Sequence, residues 1–236
     1  MELLTAKRIK KIVYGISLSD AHITERGRLD FYSKHEEYAS YIAEVLQQIT
    51  GSGARLTVKH DKRGYIGYRA TTKQHSYFSN MRDHVYGVRK HLTRYNVSRI
   101  DEEALAHIYM CDGYTAHSKN HKKNKVQNIG WFCLEAFPRE ELQILQEHLL
   151  IKWGIESSLV KVRWGYGYRI RVGGLNLQKL ISVIYPFILD CFKYKVILFY
   201  RGKGYVDMIL PNAEQYIVEY TCIEDIVRHP LKSGQT

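Results

Sequence analysis

Two segments of the chain close on an aspartate at the same point of the same pattern. They are YGISLSDA (14–21) and AHIYMCDG (106–113), which place Asp20 and Asp112 at the last turn of a helical stretch, each followed by a small residue. A carboxylate there is electrostatically unfavourable, because the helix dipole is negative at its C-terminus. Two such ends packed side by side would hold like charges close together. Repulsion then raises a pKa unless a divalent cation sits between them. A carboxylate pair holding Mg²⁺ suits phosphodiester hydrolysis, since the metal polarises the phosphate, lowers the pKa of a bound water and stabilises the leaving oxygen. Taken singly, each Asp reads first as no more than a helix end; their matched placement points to chemistry.

The elements that must position them are also repeated. Residues 5–20 read as a helix, with Ile9, Ile12, Val13 and Ile16 at three- and four-residue spacing and Thr5 placed to cap the start. Residues 101–112 read likewise, with Asp101 at the N-cap and Glu102 and Glu103 in the first turn. After the first helix, AHITERGRLDFYS predicts two short strands around a turn at Gly27, then a helix, HEEYASYIAEVLQQI, and a strand hairpin, ARLTVKHDKRGYIGYRATT. After the second, a polar stretch, SKNHKKNKVQN, precedes a strand expected near WFCLEAF. A helix, PREELQILQEHLLIKW, with Pro138 in its first turn, and a hairpin, SSLVKVRWGYGYRIRVGG, follow. GYIGYR (64–69) and GYGYR (165–169) nearly superpose. The reading is an α+β tandem repeat with halves at 1–98 and 99–196 and a C-terminal extension at 197–236.

Composition narrows the function classes. Lys plus Arg number 35 against 24 for Asp plus Glu, a net charge of +11 that attracts polyanions. The 45% hydrophobic content reads as globular. The apolar run around Leu180–Leu189 is broken by Pro186 and is too short to span a membrane. MELLTAKRIKK carries charges where a signal peptide needs its apolar core, so no secretion is expected. Cys111, Cys133, Cys191 and Cys222 are widely spaced, against a zinc site or a disulfide framework and in keeping with a reducing compartment, whether bacterial or phage-host cytoplasm or an organelle.

GISLSDAHI and LAHIYMCDGY resemble the two signature helices of the LAGLIDADG homing endonucleases of the single-chain, two-motif type, the second being the stronger match. The resemblance covers roughly residues 5–196. It implies tandem pseudo-symmetric αββαββα halves, the homing endonuclease fold, with two antiparallel DNA-binding sheets laid as saddles along the major groove. It further implies that Asp20 and Asp112, with Ala21 and Gly113 after them, form the metal site. Mg²⁺ is the expected cofactor, with Mn²⁺ able to substitute and Ca²⁺ binding without supporting cleavage. Ala21 stands where the family usually has Gly, and Cys111 where it often has Asp. Gly15 and Ser19 supply small residues for close helix approach, but His107 occupies the position equivalent to Gly15. A basic residue near the end of each half is a family feature. VRKHLT (88–93) and FKYKVI (192–197) select Lys90 and Lys195, to orient or activate the attacking water or to neutralise developing charge.

Alternating strand residues offer one face of each hairpin to DNA. The candidates are Arg26, Arg28, Arg55, Thr57, Lys59, Arg63 and Tyr65 in the first half, and Lys123, Lys125, Gln127, Ser158, Lys161, Arg163 and Tyr166 in the second. Arg201 and Lys203 extend them. Each alone reads first as a solvated strand face; the group carries the inference, and the unlike halves imply an asymmetric target. The expected function is a monomeric, site-specific double-stranded DNA endonuclease, free-standing or intron-encoded, with no membrane partner. The alternatives are a maturase that binds its host intron RNA and a non-catalytic DNA-binding protein on the same scaffold.

Overall fold

The computed structural model describes residues 3–60, 63–120, 125–163, 165–201 and 215–220. The chain divides into two compact units, Met1–Cys111 and Asp112–Thr236.

In the first unit, helix α1 (Ala6–Leu18) starts where Thr5 accepts the Arg8 N–H through its side chain, and it buries Ile9, Ile12, Val13 and Ile16. Strands β1 (His22–Ile23) and β2 (Leu29–Ser33) meet around Gly27. Gly27 has φ 73°, and a Cβ there would lie 2.8 Å from the His75 carbonyl oxygen, so both backbone and space require glycine. Helix α2 (Glu36–Thr50) covers one face of the sheet β1-β2-β4-β3, in which β3 (Arg55–His60) and β4 (Ile66–Thr71) complete an antiparallel array. Leu29, Phe31 and Ala70 are fully buried on that face, with Phe31 edge-on to Tyr38 of α2 at 5.0 Å between ring centres. Helices α3 (Ser76–Val85), α4 (Arg94–Ser98) and α5 (Glu102–Asp112) follow. Asp101 caps α5 by accepting the Ala104 N–H at 3.0 Å.

Helices α1 and α5 approach so closely at Gly15 that a Cβ there would stand 2.6 Å from the Ala104 carbonyl oxygen and 2.8 Å from His107 Cβ. Ion pairs Arg8–Glu103 (2.6 Å) and Lys11–Asp101 (2.5 Å) flank the contact. Helix α5 is buried continuously from Glu103 to Met110, which is why polar His107 sits in the core beside apolar residues.

In the second unit, β5 (Gly113–Asn120) and β6 (Lys125–Phe132) form a long hairpin, α6 (Arg139–Trp153) follows, and β7 (Ser158–Lys161) and β8 (Tyr168–Gly173) complete the antiparallel sheet β5-β6-β8-β7. Helix α7 (Gly174–Ile184) ends before Pro186, which lies in a 3₁₀ turn. The order helix, two strands, helix, two strands, helix therefore recurs, and the fold is α+β with two four-stranded sheets. No helix among the described residues is long and apolar enough to cross a membrane.

The structure corrects one element and supplies another. The polar stretch from Ser118 to Asn128 does not precede a strand: its described residues lie within β5 and β6. Along β6, Val126, Asn128, Gly130 and Phe132 are buried in alternation, and the polar member disguises the period. Asn128 is satisfied by the extension beyond residue 196. Its Nδ2 donates to the Phe199 carbonyl at 2.8 Å and its Oδ1 accepts the Phe199 N–H at 3.0 Å. That extension forms a parallel pair, β9 (Leu198–Arg201) with β10 (Ile217–Tyr220), and packs Phe199 and Tyr220 against Val126.

Candidate active site and nucleic-acid interface

Helix α1 leaves its path at Leu18. The N–H groups of Ser19 and Ala21 both donate to the Ile16 carbonyl, at 3.1 and 2.9 Å, and the Ser19 hydroxyl donates to the Gly15 carbonyl at 2.9 Å. Asp20 thus stands just past the last turn, exposed, while Ala21 is buried. Lys90 reaches the same point. Its Nζ donates to the carbonyl oxygens of Ser19 and Ala21, the latter at 2.6 Å. An antiparallel bridge between Tyr86 and Lys90 holds it there, and Tyr86 Oη accepts the Ile23 N–H at 3.1 Å. A cation on the terminal carbonyls offsets the dipole that disfavours Asp20.

Asp112 ends α5 half-buried, and its carbonyl accepts the Cys133 N–H at 2.7 Å. Gly113 opens β5 opposite Phe132. Burial pushes the Cys133 thiol pKa up; Arg169 and Lys195 pull it down, while Glu135 and Asp112 raise it further. Asp112 and Lys195 therefore both lie within electrostatic reach of one thiol. Lys195 closes a 3₁₀ turn, Asp190–Lys195, with its ammonium 5.1 Å from the Phe192 ring centre. Among the described residues no three His, Cys, Asp or Glu side chains converge as a metal site. The donors at each helix end are one carboxylate and backbone carbonyls. These hard oxygens fit Mg²⁺, which keeps several waters and needs few protein ligands.

Strand register sorts the interface candidates. Residues directly opposite in an antiparallel pair share a face. Arg55, Thr57 and Lys59 lie opposite Thr71, Arg69 and Gly67, and Asp30 and Tyr32 continue the row, all on the face away from α2. In the second sheet the corresponding row holds Ser158 and Val160, then Arg171 and Arg169, then Trp131, Ile129, Gln127 and Lys125. Lys161 is the exception among the candidates. It pairs with Tyr168, on the row of Leu159 and buried Ile170, because three residues separate it from Ser158 and strand period is two. Arg63 and Tyr65, and Arg163 and Tyr166, are exposed between the strands of the β3–β4 and β7–β8 hairpins. Arg26 is exposed in the β1–β2 turn, and Arg28, exposed, pairs with Asp30 at 3.1 Å. Lys123, Lys203 and the Arg201 side chain lie outside the described residues.

The family model described as the LAGLIDADG DNA endonuclease family matches residues 10–180. The chain belongs to that family. It is 26% identical over 218 residues to the DNA endonuclease I-ChuI of Chlamydomonas applanata, covering 79% of this chain and 93% of that protein. It is 25% identical over 195 residues to an uncharacterised protein of Methanocaldococcus jannaschii, covering 80% and 73%. Its fold is similar to that of the homing endonuclease I-WcaI bound to its DNA recognition sequence, with a TM-score of 0.71 at 22% identity over 84% of this chain and 89% of that one.

The departures from the LAGLIDADG pattern have local accounts. His107 fits because Gly15 faces it without a side chain. Its ring stacks on Tyr38 and Tyr41, and its Nδ1 lies 2.7 Å from Tyr38 Oη. Burial drives its pKa down to about 3, with the Arg8 charge in the same direction and Asp101 opposing. Cys111, where the family often has Asp, places its Sγ 3.7 Å from the same Tyr38 hydroxyl. Cys111, Cys133 and Cys191 form no disulfide.

Several residues of the candidate interface are not singled out by the sequence. Arg69 and Arg169 serve there only as marks of the repeat, and Arg171, Tyr32 and Trp131 are passed over among apolar neighbours. Arg82 lies on α3, yet it joins His22, Arg26 and Arg28 in lining a groove of about 520 Å³. The signal that finds Arg69, Arg169 and Arg171 is the buried alternate row: once Ala70, Ile170 and Val172 are assigned to the core, their neighbours must face outward.

Proposed function

We propose that this chain is a divalent-metal-dependent endonuclease that cuts double-stranded DNA at a long asymmetric site, working as a monomer in a reducing compartment. The reading is supported above all by the two matched acids at the ends of α1 and α5, in a chain of the LAGLIDADG DNA endonuclease family with a net charge of +11. That I-WcaI is bound to its DNA recognition sequence, and that I-ChuI is a DNA endonuclease, accord with it.

Asp20 and Asp112 would each present a carboxylate to the metal, which would supply charge to the scissile phosphate and acidity to a bound water, while the Ser19 and Ala21 carbonyls stay with Lys90. The rest falls to the chain. Lys90 fixes the backbone on either side of Asp20, so the carboxylate is presented from a preorganised turn, and its charge offsets the negative phosphate. Lys195 supplies the equivalent charge beside Asp112. The outward rows of both sheets hold the duplex in register by phosphate contacts and select its sequence by base contacts.

Cleavage of plasmid carrying the selected site is the test. Asp20→Asn and Asp112→Asn should each lower double-strand cleavage about 100- to 1,000-fold, the scale for removing one group that stabilises transition-state charge, with binding largely kept. Nicking of one strand can persist, because each carboxylate serves its own strand. Lys90→Ala and Lys195→Ala should lose less. Wild-type cleavage by both Asp variants, or full activity in EDTA, would refute the assignment; RNA splicing assistance without DNA cleavage would favour the maturase alternative.

A further inference from the structure

The arginine that ends the repeated GYR sequence is held by a carboxylate from another element in each unit. In the first, Arg69 Nε and Nη2 donate to Asp30 Oδ1 at 3.2 and 2.7 Å, the Thr71 hydroxyl donates to the same oxygen, and Arg28 donates to Oδ2 at 3.2 Å. Asp30 is 4% exposed. Burial would raise its pKa, but the hydrogen bonds from Thr71 and Arg69, with the charges of Arg69 and Arg28, hold it below the usual carboxylate value. The Arg69 guanidinium also lies over the Tyr32 ring, 5.3 Å from its centre. In the second unit, Arg169 Nε donates to Glu135 Oε1. Gly167 makes room for that pairing at φ 108°, where a Cβ would lie 2.5 Å from the Glu135 carbonyl oxygen.

The geometry leaves a specific set of donors over. A guanidinium has five N–H groups in a planar fork. Arg69 spends Nε and one hydrogen of Nη2 on Asp30, and Arg169 spends Nε on Glu135. The end-on pair, Nη1 and Nη2, keeps hydrogens to give on both. That pair matches the O6 and N7 acceptors of guanine in the major groove. A surface arginine loses rotamer freedom when it docks; one already clamped by a carboxylate and a ring loses less.

We infer that Arg69 and Arg169 each read one guanine in the DNA target, and that Asp30 and Glu135 are positioning residues that hold the two forks for it. The inference rests on the DNA endonuclease reading. The partition of labour is unequal. Asp30 orders two arginines, Arg28 and Arg69, and keeps a net positive charge around it, whereas Glu135 neutralises the single Arg169 and leaves recognition there to hydrogen-bond geometry. A salt lock that merely ties β2 to β4 would not need its free donors on the outward row, where both arginines stand.

Selection from a pool of random-sequence duplexes by the full chain in Ca²⁺, followed by binding to single-base variants of the selected site, tests this. The wild type should show one strongly preferred guanine in each half of the site. Arg69→Ala should erase the preference at one position only and Arg169→Ala at the other, each by roughly 5- to 100-fold, the discrimination of a bidentate contact. Arg69→Lys and Arg169→Lys keep the ion pair and the charge but not the fork; they should fold, retain binding to random duplex, and lose the same preference. Asp30→Ala and Glu135→Ala should broaden the base choice at those positions while changing the salt slope on random DNA little. An equal loss of affinity for every sequence, or a lowered melting temperature with both guanine preferences intact, would reduce these pairs to structural locks and overturn the inference. A wild-type pool that enriches no sequence would overturn the endonuclease reading itself, and this assignment with it.

Discussion

Lys90 and His107 are the side chains whose chemistry is set most tightly by their surroundings. Lys90 donates to the backbone carbonyls on both sides of Asp20, so replacing it removes both a helix-terminal cation and a hydrogen-bonded clamp. Lys90→Met is expected to destabilise the protein by about 1–2 kcal/mol in urea unfolding, the scale of a well-placed cation at a helix C-terminus, as well as to slow cleavage. Unchanged stability would reduce Lys90 to a surface charge. His107 is held neutral in the core, its pKa down at about 3 against an ordinary 6.5. The unfolded chain therefore takes up a proton that the folded chain refuses. Stability from this group is fully present above pH 6.5 and is lost as pH falls toward 3, at up to about 1.4 kcal/mol per unit. Unfolding free energies measured from pH 8 to 4 should fall more steeply for the wild type than for His107→Gln, which cannot titrate. Parallel curves would show that the ring is not buried neutral. Spacing and resemblance single out Asp20, Asp112 and Lys90 as candidates in the sequence alone. It cannot reveal what Lys90 touches, because that contact joins residues far apart in the chain.

At the scale of elements, amphipathic spacing makes α1 and α2 readable, while α5 and α6 are marked by their N-terminal Asp101 and Pro138 and their acidic first turns. The β5–β6 hairpin was hidden for a physical reason. Its core row contains Asn128, and an amide in a core row is tolerated only because Phe199, from beyond the repeat, satisfies it. Asn128→Leu would leave the Phe199 N–H and carbonyl buried without those partners. A loss of about 1–3 kcal/mol is expected, with exchange protection of the Phe199 amide falling most. Retained protection would mean that β9 holds its place without the amide. Gly15 shows the opposite sensitivity. Gly15→Ala drives a methyl against the Ala104 carbonyl, and overpacking at a helix–helix contact of about 1–3 kcal/mol should appear in the melting temperature. A variant as stable as the wild type would show that α1 and α5 are free to separate.

For the molecule as a whole, charge and duplication give joint expectations. With +11 net charge and outward basic rows on both sheets, the logarithm of the DNA association constant should fall linearly with the logarithm of salt, with a slope of about −0.9 for each phosphate neutralised. Sedimentation of the complex should find one protein on each duplex, because both acids lie in one chain; two proteins per site would contradict this. The division of the chain bears on its redesign. The repeat legible in the sequence begins its second copy ahead of α5, yet the first compact unit runs on to Cys111 and takes that helix in, against Gly15. The repeat read from the sequence and the stretch that packs are thus out of phase. A hybrid gene joined near residue 99 would set a foreign α5 against the native α1, and would carry over the donor's recognition surface at the expense of its own interior. Exchange of half-proteins between relatives should instead keep the α1–α5 pair together and change parent only after it, so that heredity is cut where packing already is.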